Sequence, residues 1–234
     1  MYAVTSWPFF AVCAGAAAAS LASFDLLSNE MLAAAAENGF AGDATALQIL
    51  DLRGGYSAED VGTALGAWGA KGRALYLAIE AIDVTAYMCG YRGAFLVLMN
   101  RLAAGLAGAA AAADSSQDGG AGPPGGGDTL WRPLLGSAAA FACGALVPMP
   151  VVLAWIDGTE GVQQVGLTLW YSAAEALAGV APSGAAWEAA VAAASGTNMF
   201  KWGCVRGGVA CMLAAAAVLA AAVAAGPRPK PPSS

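Results

Sequence analysis

Histidine is absent from this 234-residue chain. Its absence removes the commonest acid–base group near neutral pH and the commonest metal ligand. His-dependent oxidases, desaturases and imidazole-held haem go with it. Charge is scarce too, at 11% of residues, and acids outnumber bases sixteen to ten for a formal net charge of −6. The cations form no stripe, which argues against a nucleic-acid partner. The five cysteines (Cys13, Cys89, Cys143, Cys204, Cys211) include no C-x-x-C pair and all fall in apolar stretches. They read as small apolar fillers rather than a disulfide framework or a metal site. No G-x-S-x-G, P-loop, H-E-x-x-H or dinucleotide-binding G-x-G-x-x-G is present, and Asp157 sits in Trp155-Ile156-Asp157-Gly158 rather than in a G-x-G-D element. With no nucleophile–base pair to name, the sequence leans away from an enzyme. No catalytic residue, cofactor or metal is expected.

What is abundant is apolar chain: 59% hydrophobic residues and a mean hydropathy of +0.62. Crossing the hydrocarbon takes roughly 20 mainly apolar residues in a helix. Four stretches qualify, about Ala3–Phe24, Ala74–Met99, Leu134–Ile156 and Trp202–Ala225. The alternating ten-residue segments of a membrane β-barrel are missing. Trp131, Trp155 and Trp202 flank the third and fourth stretches, as indoles of the interfacial belts do. The expected fold is therefore all-α, an integral membrane four-helix bundle within a single transmembrane domain, 1–226. The first stretch has two readings, a retained helix or a cleavable secretory signal. The missing basic n-region and the long apolar run favour retention. Cations near span ends give only a slight lean toward termini on the cytosolic, stromal or matrix side, and do not identify the membrane.

Between the spans the chain changes character. The first loop, Asp25–Arg73, carries seven acids. In it Ser57 and Asp60 set up a capping box ahead of Val61, Leu65 and Trp68, which share a helix face. An amphipathic surface helix, Ala58–Trp68, is predicted to feed the second span. The Gly/Pro-rich stretch 114–128 reads as a flexible linker, and 227–234 as a disordered tail. Gly161–Ser195 should form one or two Ala-rich helices broken at Pro182, and Pro148 and Pro150 should kink the third span. Gly136, Ala140 and Gly144, and likewise Gly203 and Gly207, make small-residue stripes. Packing within the chain is the favoured use for them.

The second span carries charge where apolar filler is the rule. Tyr76, Glu80, Asp83, Tyr87 and Tyr91 step by helical spacing along one face. Counting from Arg73, Glu80 and Asp83 sit roughly 10 and 15 Å inward. A charge at a span centre costs about 2.5–3.5 kcal/mol on insertion scales, so these groups must face the bundle or water. Topology brings Asp157 and Glu160, at the end of the third span, to the same side as Lys201 and Arg206, at the start of the fourth. The candidate buried polar network is therefore Glu80, Asp83, Asp157, Glu160, Lys201 and Arg206, with Lys71 and Arg73 at the same level. Asp83 is expected within reach of Arg206 or Lys201. Two uses remain open: fixing which helix lies beside which, or a proton, ion or headgroup site.

The run Leu50-Asp51-Leu52-Arg53-Gly54-Gly55-Tyr56-Ser57-Ala58-Glu59, followed by Leu65, Gly69, Gly72-Arg73, Tyr76 and Asp83, resembles a group of small four-span bacterial-type membrane proteins. Asp157-x-x-Glu160 and Lys201-Trp202 are similar as well. The resemblance implies a proline between Asp83 and Tyr87, where the chain reads Val84-Thr85-Ala86, and an asparagine at Gly161. It implies the four-span architecture and no particular activity. The leading expectation is a non-catalytic accessory, assembly or structural subunit of a membrane complex. Its partners would be membrane lipids and other membrane-protein subunits, with no nucleic acid. The alternative is a small transporter or lipid-binding protein using the buried charged layer.

Overall fold

The computed structural model describes residues 6–115 and 128–225, so the predicted tail lies outside the described residues and so does nearly all of the predicted linker. The described chain is helical throughout its regular structure. Helix α1 is Trp7–Glu37, α2 Ala58–Ile82, α3 Met88–Ser115, α4 Asp128–Phe141, α5 Met149–Ala178 and α6 Ala185–Ala225. Two short 3-10 turns, Ala44–Leu47 and Leu50–Leu52, interrupt the segment between α1 and α2. Wide π turns at Asp83–Tyr87 and Ala142–Leu146 follow α2 and α4. Four helical stretches, 31, 55, 46 and 40 residues long, are apolar enough to cross a membrane. Each exceeds the roughly 20 residues that a crossing needs. The all-α class read from the sequence is what the structure has.

Several boundaries differ from the predicted ones, for local reasons. Helix α1 does not stop at Phe24. It runs on through the good helix formers of Met31–Glu37 and ends where Gly39 takes φ +82°. There the Phe40 and Gly39 amides donate to the Ala35 and Ala36 carbonyls at 3.0 and 2.9 Å, a Schellman closure. Helix α5 likewise continues past Ile156 to Ala178, and Pro182 lies in the break before α6, as expected. Ahead of Pro148 the helix widens: the Val147 amide donates to the Ala142 carbonyl, five residues back, at 3.0 Å. A wide turn is one way a helix re-satisfies carbonyls near prolines.

The predicted surface helix is present. The Ser57 hydroxyl accepts from the Asp60 amide at 3.1 Å, and the Asp60 carboxylate accepts from the Ser57 amide at 2.7 Å, completing the capping box. Val61, Leu65 and Trp68 are all fully buried on its inner face. The helix is set off from the rest of α2 at Gly69, whose φ of +60° and ψ of −170° are not helical. One turn beyond this break, Arg73 reaches back to the Leu65 carbonyl at 2.8 Å. It also holds Ser172 at 3.0 Å and pairs with Glu175.

The chain divides into two compact units. One consists of Phe10–Ala94 and Val151–Val205. Its apolar core gathers Met31, Leu50, Leu65, Trp68, Leu167 and Val191. Close helix approach there depends on single glycines. A Cβ on Gly90 would lie 2.7 Å from the Ala17 amide nitrogen and 2.8 Å from the Cys13 carbonyl oxygen. The other unit comprises the described parts of 1–9, 95–150 and 206–234, with Met99, Leu106, Leu135 and Leu146 in its core.

Two packing expectations are corrected. Among the described residues, nothing lies within 4 Å of a Cβ placed on Gly136, Gly144, Gly203 or Gly207. These glycines therefore make no close packing contact with the described residues. The cysteines are all free, but only Cys13 is buried, while Cys89 and Cys143 are exposed. Both lie on helix faces that the chain itself does not cover.

Candidate functional site

The first unit brings three carboxylates onto one lysine. Lys201, near the middle of α6, is buried, and its Nζ lies 3.0 Å from Asp157 Oδ1 and 2.6 Å from Glu160 Oε2. Asp51, on the second 3-10 turn, makes the third ion pair to the same nitrogen. The spacing of Asp157 and Glu160, three residues apart on α5, puts both on one helix face. Asp51 arrives from a loop, and α6 holds that loop by its backbone. The Asn198 amide donates to the carbonyls of Leu50 and Asp51 at 3.2 and 3.0 Å, and the Trp202 indole donates to Asp51 at 2.9 Å. The Ser195 hydroxyl accepts from the Tyr56 amide at 2.8 Å. Ser195, Asn198 and Trp202 recur at helical spacing, so one face of α6 binds the whole segment.

A polar relay extends from this centre. Glu160 Oε1 accepts from the Asn198 and Gln164 amides at 2.5 and 2.6 Å. The Tyr76 hydroxyl donates to Gln164, and the Tyr91 hydroxyl donates to Asp157 Oδ2 at 3.0 Å. Glu160 is 1% exposed and Asn198 and Gln164 are fully buried, so bulk solvent does not reach these bonds. Three oxygens here take no hydrogen bond: Glu160 Oε2, which has its ion pair to Lys201, and Tyr56 Oη and Asn198 Oδ1, which have neither. Tyr56 lies outside the helices, alongside Gln164, Glu160 and Asp51. Its own burial first, and then the Glu160 carboxylate, raise its phenol above the ordinary range, so the hydroxyl keeps its proton.

Of the six residues named from the sequence, the structure joins Asp157, Glu160 and Lys201 directly. Glu80 and Asp83 are both buried close by: Glu80 lies beside the Tyr76 hydroxyl, and Asp83 within electrostatic reach of Asp157 and Lys201. No ion pair joins Asp83 to a base among the described residues. Arg206 is exposed, which removes it from the network. Five residues past Lys201 it points about 140° away around the helix, so depth alone did not make it a partner. Lys71 and Arg73 are also elsewhere: Lys71 is exposed on Glu37 and Arg73 is on Glu175. Asp51 is the member that spacing and depth missed. The only hint was its position at the head of the Asp-x-Arg-x-Gly-Tyr-Ser run.

The neighbouring geometry depends on two further details. At Asp83–Tyr87 the helix takes a π turn, closed by the Met88 amide on the Asp83 carbonyl. The Thr85 hydroxyl donates to the Ala81 carbonyl at 2.6 Å. This is the place where the resemblance leads one to expect a proline, and π turns concentrate at functional sites. At Gly161 an added Cβ would lie 2.9 Å from Val84 and 3.2 Å from Glu80 Oε2. An asparagine there would run into both, so glycine lets Glu80 approach α5. Comparison with protein-family models, curated proteins and solved structures finds no match to this chain.

Proposed function

We propose that this chain is an integral membrane protein with a non-catalytic role, acting as an accessory, assembly or structural subunit in contact with other membrane proteins. The observation that carries this reading is the set of small-residue stripes that the chain leaves uncovered: Gly136 and Gly144, and Gly203 and Gly207. In lipid, helices associate where small residues let backbones approach. Four apolar helices support the membrane assignment. The Lys201 centre fits a structural role within such a subunit, since it clamps a loop and two helices by buried ion pairs. Alkaline carbonate extraction tests the first half; release of the chain into the soluble fraction refutes it. Gentle solubilisation and sizing test the second half. The expected result is a larger complex that Gly136→Leu with Gly144→Leu disperses. A monodisperse monomer in every detergent refutes it.

A second reading, a small transporter or lipid-binding protein, is favoured by the excess of buried carboxyl groups over lysine. Substrate-dependent protection of the purified chain from heat would move the balance to that reading.

A further inference from the structure

The Lys201 centre has more acid than its ammonium can neutralise. One ammonium faces the carboxyl groups of Asp51, Asp157 and Glu160, so acids outnumber bases by two in a largely dry environment. Oxygens of these three side chains lie within 4.8 Å of one another. Beside them are two buried oxygens that no donor satisfies. Tyr56 Oη belongs to a residue only 8% exposed that lies against Glu160, Asp51 and Gln164. Asn198 Oδ1 belongs to a fully buried amide whose nitrogen is 2.5 Å from Glu160. Buried polar atoms without partners are rare, and a missing ion is among their explanations.

We propose that Asp51, Asp157 and Glu160, with Tyr56 and Asn198, form a binding site for a hard divalent cation of calcium's class, which competes with the Lys201 ammonium for the same carboxylate oxygens. The donor set is all oxygen, with three acids, one carbonyl and one hydroxyl, which is the chemistry of hard cations and not of thiolate or imidazole metals. A divalent ion would draw these acids into their charged form and match their excess over the one ammonium. Tolerance of irregular geometry favours calcium, whose oxygen ligands lie at about 2.3–2.6 Å in flexible arrangements, whereas magnesium demands a near-ideal octahedron at about 2.0–2.1 Å and keeps its waters. Asp51 is the most exposed of the three acids, and the cation enters on its side. The inference stands independently of the subunit reading, because it concerns one centre within one unit.

The experiment uses the purified full-length chain in mild detergent. Thermal melting is followed against calcium chloride, against magnesium chloride and against choline chloride of equal ionic strength. Equilibrium binding of radioactive calcium to the wild type gives the stoichiometry. The expected results are about one calcium per chain, stabilisation by calcium beyond the choline control, and a weaker response to magnesium. Removing the competing ammonium with Lys201→Ala should tighten calcium binding by about tenfold or more, because the like charge beside the ion is gone. Asp51→Asn should abolish the calcium response; this variant keeps the Asp157 and Glu160 pairs to Lys201, so it reports even if Lys201→Ala does not fold. The proposal is overturned if calcium binds no better than choline in the wild type. It is equally overturned if Asp51→Asn responds like the wild type, or if a folded Lys201→Ala binds calcium no more tightly. Those outcomes would leave an enclosed water on Tyr56 and Asn198.

Discussion

Replacing Lys201 with methionine removes the ammonium from a centre of two buried carboxylates and a third, Asp51, that is partly exposed, while keeping most of the side-chain volume. At an effective dielectric near 20, charges 3.0 and 2.6 Å apart, as Lys201 is from Asp157 and Glu160, attract by about 5.5 and 6.4 kcal/mol before desolvation is counted. Desolvation of the lysine offsets much of that. What remains after truncation is carboxylate left buried without its counter-charge, a situation that costs about 3–5 kcal/mol. For a chain of this size each kcal/mol moves the midpoint by about 2–4 °C, so Lys201→Met should melt about 6–20 °C below the wild type. The assay is tryptophan fluorescence during heating in mild detergent without divalent cations, with Trp202 one residue from the mutation. The cycle is completed with Asp157→Asn. The double variant should be less damaged than the sum of the singles, because removing Asp157 relieves the orphaned charge. A Lys201→Met midpoint within about 2 °C of wild type, or strictly additive losses, would refute the reasoning.

Four further outcomes follow from local geometry. Gly69→Ala should cost about 1–2 kcal/mol by melting, since its φ of +60° and the Asn38 amide against it both exclude a Cβ. Gly62→Ala, on the same helix with open space around it, should be neutral or stabilising by up to about 1 kcal/mol. Gly90→Val should cost about 1–3 kcal/mol or more in the same assay, because the side chain meets α1 backbone rather than a movable side-chain tip. Ser57→Ala should cost about 1 kcal/mol and speed amide exchange in the first turn of α2, which loses its cap.

The parts of this molecule that were legible in the sequence are those set by neighbours along the chain. The apolar runs, the Ser57–Asp60 capping box and the buried face of Val61, Leu65 and Trp68 all follow from residues within a few turns of one another. The meeting of Asp157 and Glu160 with Lys201 was also readable, because helix direction places both helix segments on the same side. Asp51 was not, since its position depends on hydrogen bonds from Asn198 and Trp202 that span about 150 residues of chain. Arg206 was misassigned because depth was counted and rotation was not. The small-residue stripes misled only as to which neighbour they serve, because a repeat marks a face that can take a helix without saying whose. The chain's own close approaches include isolated residues, Gly90 and Gly161, that no repeat marks.

The wide turn at Asp83–Tyr87 amounts to one residue added to an otherwise regular helix. Counted as plain α-helix, Asp83 and Tyr91 are eight steps apart and diverge by about 80°. With one residue left out of the count they are seven steps apart, and the difference shrinks to about 20°. That omission lets both face Asp157. The chain's length at this point is thus decoupled from the direction in which its side chains face. Losing a single residue from Val84–Ala86 should restore an ordinary turn and leave Tyr91 aimed at Asp157. The same loss anywhere from Met88 to Gly90 would swing Tyr91 away, so the helix can absorb a change of length at this turn and not beside it.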